Sequence, residues 1–275
     1  MSTIHSQRAR EILKDYDKVS RHDQTFWSVR TNHDKMAKML PEWESLRSHA
    51  SDIKKHVITH LADYLEEFSN QLENRGVVVH WAKDARELNE IVYGILETNK
   101  VEKLVKSKSM LTEECGLNHY LIKRGIDVVE TDLGERILQL MGKAPAHIVM
   151  PAIHITREDV GKMFEAKGIS KEIGNNDPTY LTYCARKSLR NEFLEAQASL
   201  TGCNFGVAKT GDMVVCTNEG NADMATSIPK LHIVTMGIEK LVPDYSSLAV
   251  FQRLLCRCGT GQPTTTFTSH FRQAR

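Results

Sequence analysis

Residues suited to proton transfer or anion binding gather in four places along this chain of 275 residues. The first is Lys106-Ser107-Lys108-Ser109-Met110. Its hydroxyls, backbone N–H groups and lysines suit a phosphate or carboxylate, with Lys108 and Ser109 as the binding candidates. A solvated loop with helix-capping serines is the plainer account. The second is Glu130-Thr131-Asp132-Leu133-Gly134-Glu135, which holds three carboxylates in six residues. Such carboxylates raise one another's pKa, coordinate a cation, or divide the work of acid and base. Capping alone would place Asp132 as an N-cap and Glu135 as its partner, and would leave Glu130 unexplained.

The third place is Pro151-Ala152-Ile153-His154, where proton transfer is the natural role of the histidine. A lone histidine is more often a packing residue. The fourth runs from Thr201-Gly202-Cys203-Asn204 through Thr210-Gly211 to Thr217-Asn218-Glu219-Gly220-Asn221. Its glycines permit close backbone approach, and Asn218, Glu219 and Asn221 offer polar side chains in one tight loop. Turn chemistry also accounts for these residues, and two turns separated by one strand lie at its opposite ends. Glu130, Asp132 and His154 are thus the catalytic candidates. Lys108, Ser109, Thr131, Thr210, Gly211, Asn218, Glu219, Gly220 and Asn221 are the ligand-binding ones. No metal ligands are assigned.

Other chemistries fall away. His56 and His60 have zinc-ligand spacing, but no glutamate follows His56, so the metalloprotease motif is missing. Cys256 and Cys258 form C-R-C, which is neither a zinc-ribbon nor an iron–sulfur spacing. The other four cysteines are scattered, which argues for reduced thiols. P-loop, Rossmann and nucleophile-elbow motifs do not occur.

The elements that must position these residues follow from hydrophobic period. From Trp43 to Asn74 the pattern is helical, with Leu46, Ile53, Val57, Leu61, Leu65, Phe68 and Leu72 forming one stripe. After Gly76 short apolar runs alternate with helices. Strands are predicted at Val77–Val79, Leu104–Val105, Ile126–Val129 and His147–Met150. Helices are predicted from Asp84, from Thr112 to Arg124, from Gly134 to Met141 and from Thr156. A long helix opens at Asp177-Pro178, a hairpin spans Asn204 to Cys216, a strand covers Leu231–Thr235, and a last helix starts at Tyr245. This pattern predicts an α/β fold with one mixed, mostly parallel open sheet flanked by helices. Three regions are expected: a helical extension at 1–75, the α/β domain at 76–258, and a polar tail at 259–275.

Composition narrows the classes further. Lys+Arg total 36 against 35 Asp+Glu, and residues 1–75 hold 12 of each kind, so there is no basic arm for nucleic acid. No apolar run is long enough to span a bilayer, and the start lacks a signal-peptide core, so a cytoplasmic protein is expected.

At these same residues the chain resembles the lactate-utilization protein B family. The stretches are K-S-K-S-M-L-T-E-E (106–114), V-V-E-T-D-L-G-E (128–135), H-I-V-M-P-A-I-H (147–154), T-G-C-N-F-G-V-A (201–208) and T-N-E-G-N (217–221). G-I-E-K-L-V-P (237–243) and G-T-G-Q (259–262) complete the set. The resemblance implies a LUD domain with a fold similar to the NagB/RpiA/CoA-transferase group. It also implies a cytoplasmic oxidoreductase complex with two other lactate-utilization proteins, oxidising L-lactate to pyruvate and passing electrons through iron–sulfur clusters. In that family a C-terminal domain with 4Fe-4S motifs follows; this chain shows none and is expected to lack it and to be inactive alone. Within such a complex the chain would bind a small anionic ligand and position the electron-transfer partners. Two alternatives stand beside this one: an independent transferase or isomerase acting on a CoA ester or sugar phosphate, and an assembly module without ligand, with a homo-oligomer as a further option. One departure is Ala208-Lys209-Thr210-Gly211, where the family commonly reads Ala-Glu-Thr-Gly. An ammonium there reverses the local charge and removes any proton-accepting role.

Overall fold

The computed structural model describes Arg10, residues 13–146 and residues 150–274. Helices α1 (Tyr16–Lys38), α2 (Trp43–Thr59) and α3 (Leu61–Glu73) come first, so the predicted single helix from Trp43 breaks at His60. Then α4 (Ala85–Thr98), β1 (Lys103–Lys106), α5 (Met110–Glu114), α6 (Leu117–Ile122), β2 (Asp127–Glu130), α7 (Leu133–Met141), α8 (Arg157–Ala166) and α9 (Pro178–Glu195) follow. The rest comprises β3 (Ala198–Gly202), β4 (Phe205–Val207), β5 (Asp212–Thr217), α10 (Asn221–Ser227), β6 (Leu231–Thr235), β7 (Leu241–Val242), α11 (Tyr245–Gly259) and β8 (Phe267–Phe271).

The fold is α/β, with a parallel sheet in the order β2-β1-β3-β6. Side chains on its strands alternate between two buried layers, as the period of two requires. Leu104, Val128, Ala198 and Leu200 pack beneath Val92 and Leu96 of α4 and Leu117 and Leu121 of α6. Val105 and Val129 face Leu189 and Phe193 of α9 and Ala225 of α10. Helix starts are capped by acidic or hydroxyl side chains: Asp84, Asp132, Asp177 and Asp244 each accept a backbone N–H, and Thr156 with Asp159 forms a reciprocal capping box.

Several expectations are corrected. The hairpin β4–β5 does not join the parallel sheet; it sits in a second sheet, in the order β7-β4-β5-β8. The chain turns directly after β3, where Asn204 N–H bonds Val214 O and Asn204 Oδ1 accepts from Cys216 N–H. The hairpin's own pairing partners are β7 and β8, so it forms its own layer, covered by α2, α3 and α11. Val77–Val79 is not a strand: Val77 and Val79 pack into the core under α2 and α3 while Val78 is exposed. The helix predicted from Thr112 to Arg124 is two short helices parted at Gly116, whose φ of 66° breaks the helical path. The strand predicted at His147–Met150 has its first three residues outside the described ones. The polar tail contributes β8, paired antiparallel to β5 from Met213↔Phe271 to Thr217↔Phe267.

A buried carboxylate fastens that last strand. Asp212, fully buried at the start of β5, accepts from Tyr245 OH, from His270 Nδ1 at 3.1 Å and from Arg272 Nη2 at 3.1 Å. Desolvation pushes its pKa up, but the hydrogen bonds from Tyr245 and His270 and the Arg272 charge prevail and hold it below the usual carboxylate value. With a depressed folded-state pKa, the tie is fully present above the unfolded-state value and is lost as pH falls through the folded-state one. Asp212→Asn is expected to weaken the local anchoring by about 1.5–3 kcal/mol. The amides of 267–271 should then exchange with deuterium markedly faster than in the parent, and unchanged exchange would refute the tie.

Candidate functional site

The parallel strands end together. Register pairs Lys106 with Glu130 and with Leu200, and Gly202 with Thr235, so the loops after β1, β2, β3 and β6 share one rim. In open α/β sheets this carboxyl rim is where ligands bind.

Lys106 is the centre of the rim. It is fully buried, and its Nζ donates to Glu130 Oε1 and to Glu113 Oε1, each at 2.7 Å. Asn118 Nδ2 reaches the same two oxygens at 2.6 and 3.1 Å. Burial would lower the Lys106 pKa, but the charges of Glu130 and Glu113 outweigh it and keep the ammonium protonated. Burial raises Glu130, against the pull of Lys106. Thr131 Oγ1 donates to Lys106 O at 2.9 Å, and Asn221 Nδ2 donates to Thr131 Oγ1 at 3.3 Å. The buried Ser109 lies beside Gly202, and its hydroxyl is 3.4 Å from that of Thr235.

The outer part of the rim is more open. Asp132 caps α7 by accepting from Gly134 N–H at 3.0 Å and Glu135 N–H at 3.3 Å. The Glu135 side chain does not reach back to complete a capping box. Its carboxyl is buried, Oε1 lacks a hydrogen-bond partner among the described residues, and desolvation with the Glu130 and Glu113 charges pushes it up to about 7. Glu219 accepts from Leu133 N–H at 3.3 Å, which brings the 217–221 loop to the start of α7. Desolvation and the Asp132 charge push Glu219 up to about 7, while the nearby Lys108 ammonium pulls the other way. A protonated carboxylic acid is a donor, so Glu219 offers a donor to an incoming carboxylate as pH falls below about 7, with the positive charge of Lys108 nearby.

The structure therefore brings Lys108, Ser109, Glu130, Thr131, Asp132, Glu219 and Asn221 to one rim. Other candidates lie elsewhere. Thr210 and Gly211 form the hairpin turn at the far end of β5, where Arg75 Nη1 donates to Thr210 O. Gly211 has a φ of 68°, and a Cβ there would stand 2.8 Å from Gln71 Cβ. Asn218 points to the C-terminal stretch, donating to Gln262 Oε1 at 3.0 Å and accepting from Thr266 N–H at 3.1 Å. Gly220, between the rim residues Glu219 and Asn221, is the N-cap of α10. His154 lines a cavity of ≈ 700 Å³ with His22 and Phe26 of α1, and joins the rim only indirectly, through the contact of Pro151 with Gly134.

Sequence reasoning passed over Glu113 and Asn118, and it gave Lys106 no role of its own. A lysine closing an apolar strand was the available signal, since a cation there must find anions. Among the described residues no group of three or more His, Cys, Asp or Glu is placed to hold a metal ion. Burial pushes Cys203 up to about 12 and Cys216 up to about 11, so both thiols stay protonated. No helix among the described residues is long and apolar enough to cross a membrane.

Comparison with known proteins adds a family. The model described as LUD domain matches residues 65–274. A protein of an Exiguobacterium species named lactate utilization protein B is 43% identical over 236 residues, covering 86% of this chain and 50% of that protein. The Shouchella clausii protein of the same name is 41% identical over 243 residues, 88% of this chain and 50% of its own length. That of Bacillus pumilus is 43% identical over 231 residues, 84% and 48% respectively. The chain spans about half the length of the curated relatives it matches. No solved structure matches it.

Proposed function

Because this chain belongs to the LUD domain family, we propose that it acts in lactate utilization and that its carboxyl rim binds a small carboxylate, lactate or pyruvate. One observation carries the reading: Glu219 is seated at the start of α7 by the N–H of Leu133, within the field of Lys108, and its carboxyl is pushed up to about 7, so a donor stands at the rim near neutral pH. The carboxylate would lie against Lys108 and accept from Glu219. Its α-oxygen would face Asp132. Lys106, Glu113, Glu130 and Asn118 form the support beneath, holding the ends of β1 and β2 in one geometry.

The chain works as one part of a lactate-oxidising assembly with two other lactate-utilization proteins, and it positions electron-transfer partners rather than turning over lactate alone. The residues present here do not fit an iron–sulfur cluster: among the described residues no group of three or more His, Cys, Asp or Glu is placed to hold a metal ion, and Cys184, Cys203 and Cys256 are buried.

Calorimetric titration tests the reading. Lactate or pyruvate should give saturable heat with the parent, and Lys108→Ala should weaken binding by about tenfold or more, the loss of one charge-assisted hydrogen bond. Absence of heat from both acids would overturn it.

A further inference from the structure

Two helix faces of this chain are exposed and opposite in charge. On α9, Tyr183, Arg186, Lys187, Arg190 and Leu194 recur at helical spacing and border a groove of ≈ 440 Å³ that Met224 of α10 and Ile228 just after it complete. Tyr183 is 61% exposed and Leu194 59%. The acids of α9 are already engaged: Glu192 receives Lys103 Nζ at 2.9 Å and Arg136 Nη2 at 3.4 Å, and Glu195 receives Lys103 Nζ at 3.0 Å. Arg186, Lys187 and Arg190 form no ion pair among the described residues and face solvent.

The opposite case is α3. Its sequence LADYLEEFSNQLE carries Asp63, Glu66, Glu67 and Glu73 and no lysine or arginine. Ala62, Asp63, Glu66, Glu67 and Glu73 are exposed, and Ile58 just before the helix is 67% exposed. These acids likewise form no ion pair among the described residues. Each face runs about 16 Å along its helix. In a chain of net charge +1, the two signs have been sorted onto separate surfaces, the basic one bordered by Tyr183 and Leu194 and the acidic one by Ala62 and, from the end of α2, Ile58.

We propose that the α9–α10 groove is an interface with a second copy of this chain, whose acidic α3 face it receives. Apolar side chains in the centre supply burial, and the charges set register and encounter rate. The contact joins unlike surfaces, so it closes into a pair where a two-fold axis lets both contacts form at once, and into a ring or row otherwise.

Charge reversal in matched variants tests this. Light scattering of the parent at low ionic strength should give a mass above 31.1 kDa. In about 1 M salt, where screening acts over roughly 3 Å, the mass should fall to that of one chain. Arg186→Glu with Arg190→Glu, and separately Glu66→Lys with Glu67→Lys, should each weaken association by about tenfold or more. All four side chains are exposed, and circular dichroism matching the parent confirms folding. Mixed together, the two variants should associate again, because every acidic face then finds a basic one. A parent of single-chain mass at low salt would overturn the proposal, as would variants that associate like the parent or a mixture that stays apart.

Discussion

Lys106→Met is expected to lower the stability of the protein by about 3–5 kcal/mol, the usual cost of stranding a buried charge by removing its partner. The reason lies in the surroundings. Glu130 is 2% exposed, and its Oε2 has no hydrogen-bond partner among the described residues even with the lysine present. Take away the ammonium and Glu130 keeps only the amide of Asn118, with the second carboxylate of Glu113 close by. For a chain of this size the thermal midpoint should fall on the order of 10 °C. Adding Glu130→Gln to Lys106→Met should recover part of the loss, because the stranded charge is then gone. A parent-like midpoint for Lys106→Met would sink the account, and so would a strictly additive double variant.

Titration of lactate across pH should show affinity falling as the solution passes above about pH 7. Below that point Glu219 is protonated and donates; above it the carboxylate repels the ligand, with Asp132 adding to the repulsion and Lys108 opposing it. One proton linked to binding gives about a tenfold loss per pH unit. Glu219→Gln keeps a donor at every pH, so its profile should be flat and its affinity at alkaline pH higher than that of the parent. Glu135, also near 7 but buried behind the rim, is the control: Glu135→Gln should retain the slope. A slope that survives in Glu219→Gln would remove Glu219 from the binding step. Both raised carboxyls also bind more protons folded than unfolded, so they take away stability as pH climbs from about 4.3 towards 7.

Much of the fold is legible locally, since its elements have local causes. Asp132, Thr156 and Asp177 announce helix starts by chemistry that needs only the next few residues. Leu104-Val105 and Val128-Val129 are short apolar runs between helices, and they are the strands they look like. Val77–Val79 has the same composition and is no strand, because a strand needs an edge to pair with and none is offered there. Sheet membership is likewise non-local: β4 lies beside β7 through the pairing of Gly206 with Leu241 and Val207 with Val242, residues far apart in sequence. The candidate site divides the same way. Lys108, Glu130, Asp132 and Glu219 were visible as polar residues at strand and turn ends. The burial of Lys106 was not, because it depends on Glu113 and Asn118 arriving from helices whose break at Gly116 sets their angle.

The Lys106–Glu130 pair also polices how the first two strands zip together. Each β-branched neighbour would tolerate a shifted partner, for Val105 opposite Val128 is as greasy as Val105 opposite Val129. A slide by one position would turn Glu130 to the other face of the sheet, where its buried carboxylate loses the Lys106 ammonium at a cost of several kcal/mol, and would leave Lys106 with Glu113 alone. Mispaired chains are thereby rejected at the moment of closure, and the loops that follow both strands emerge at the same height every time.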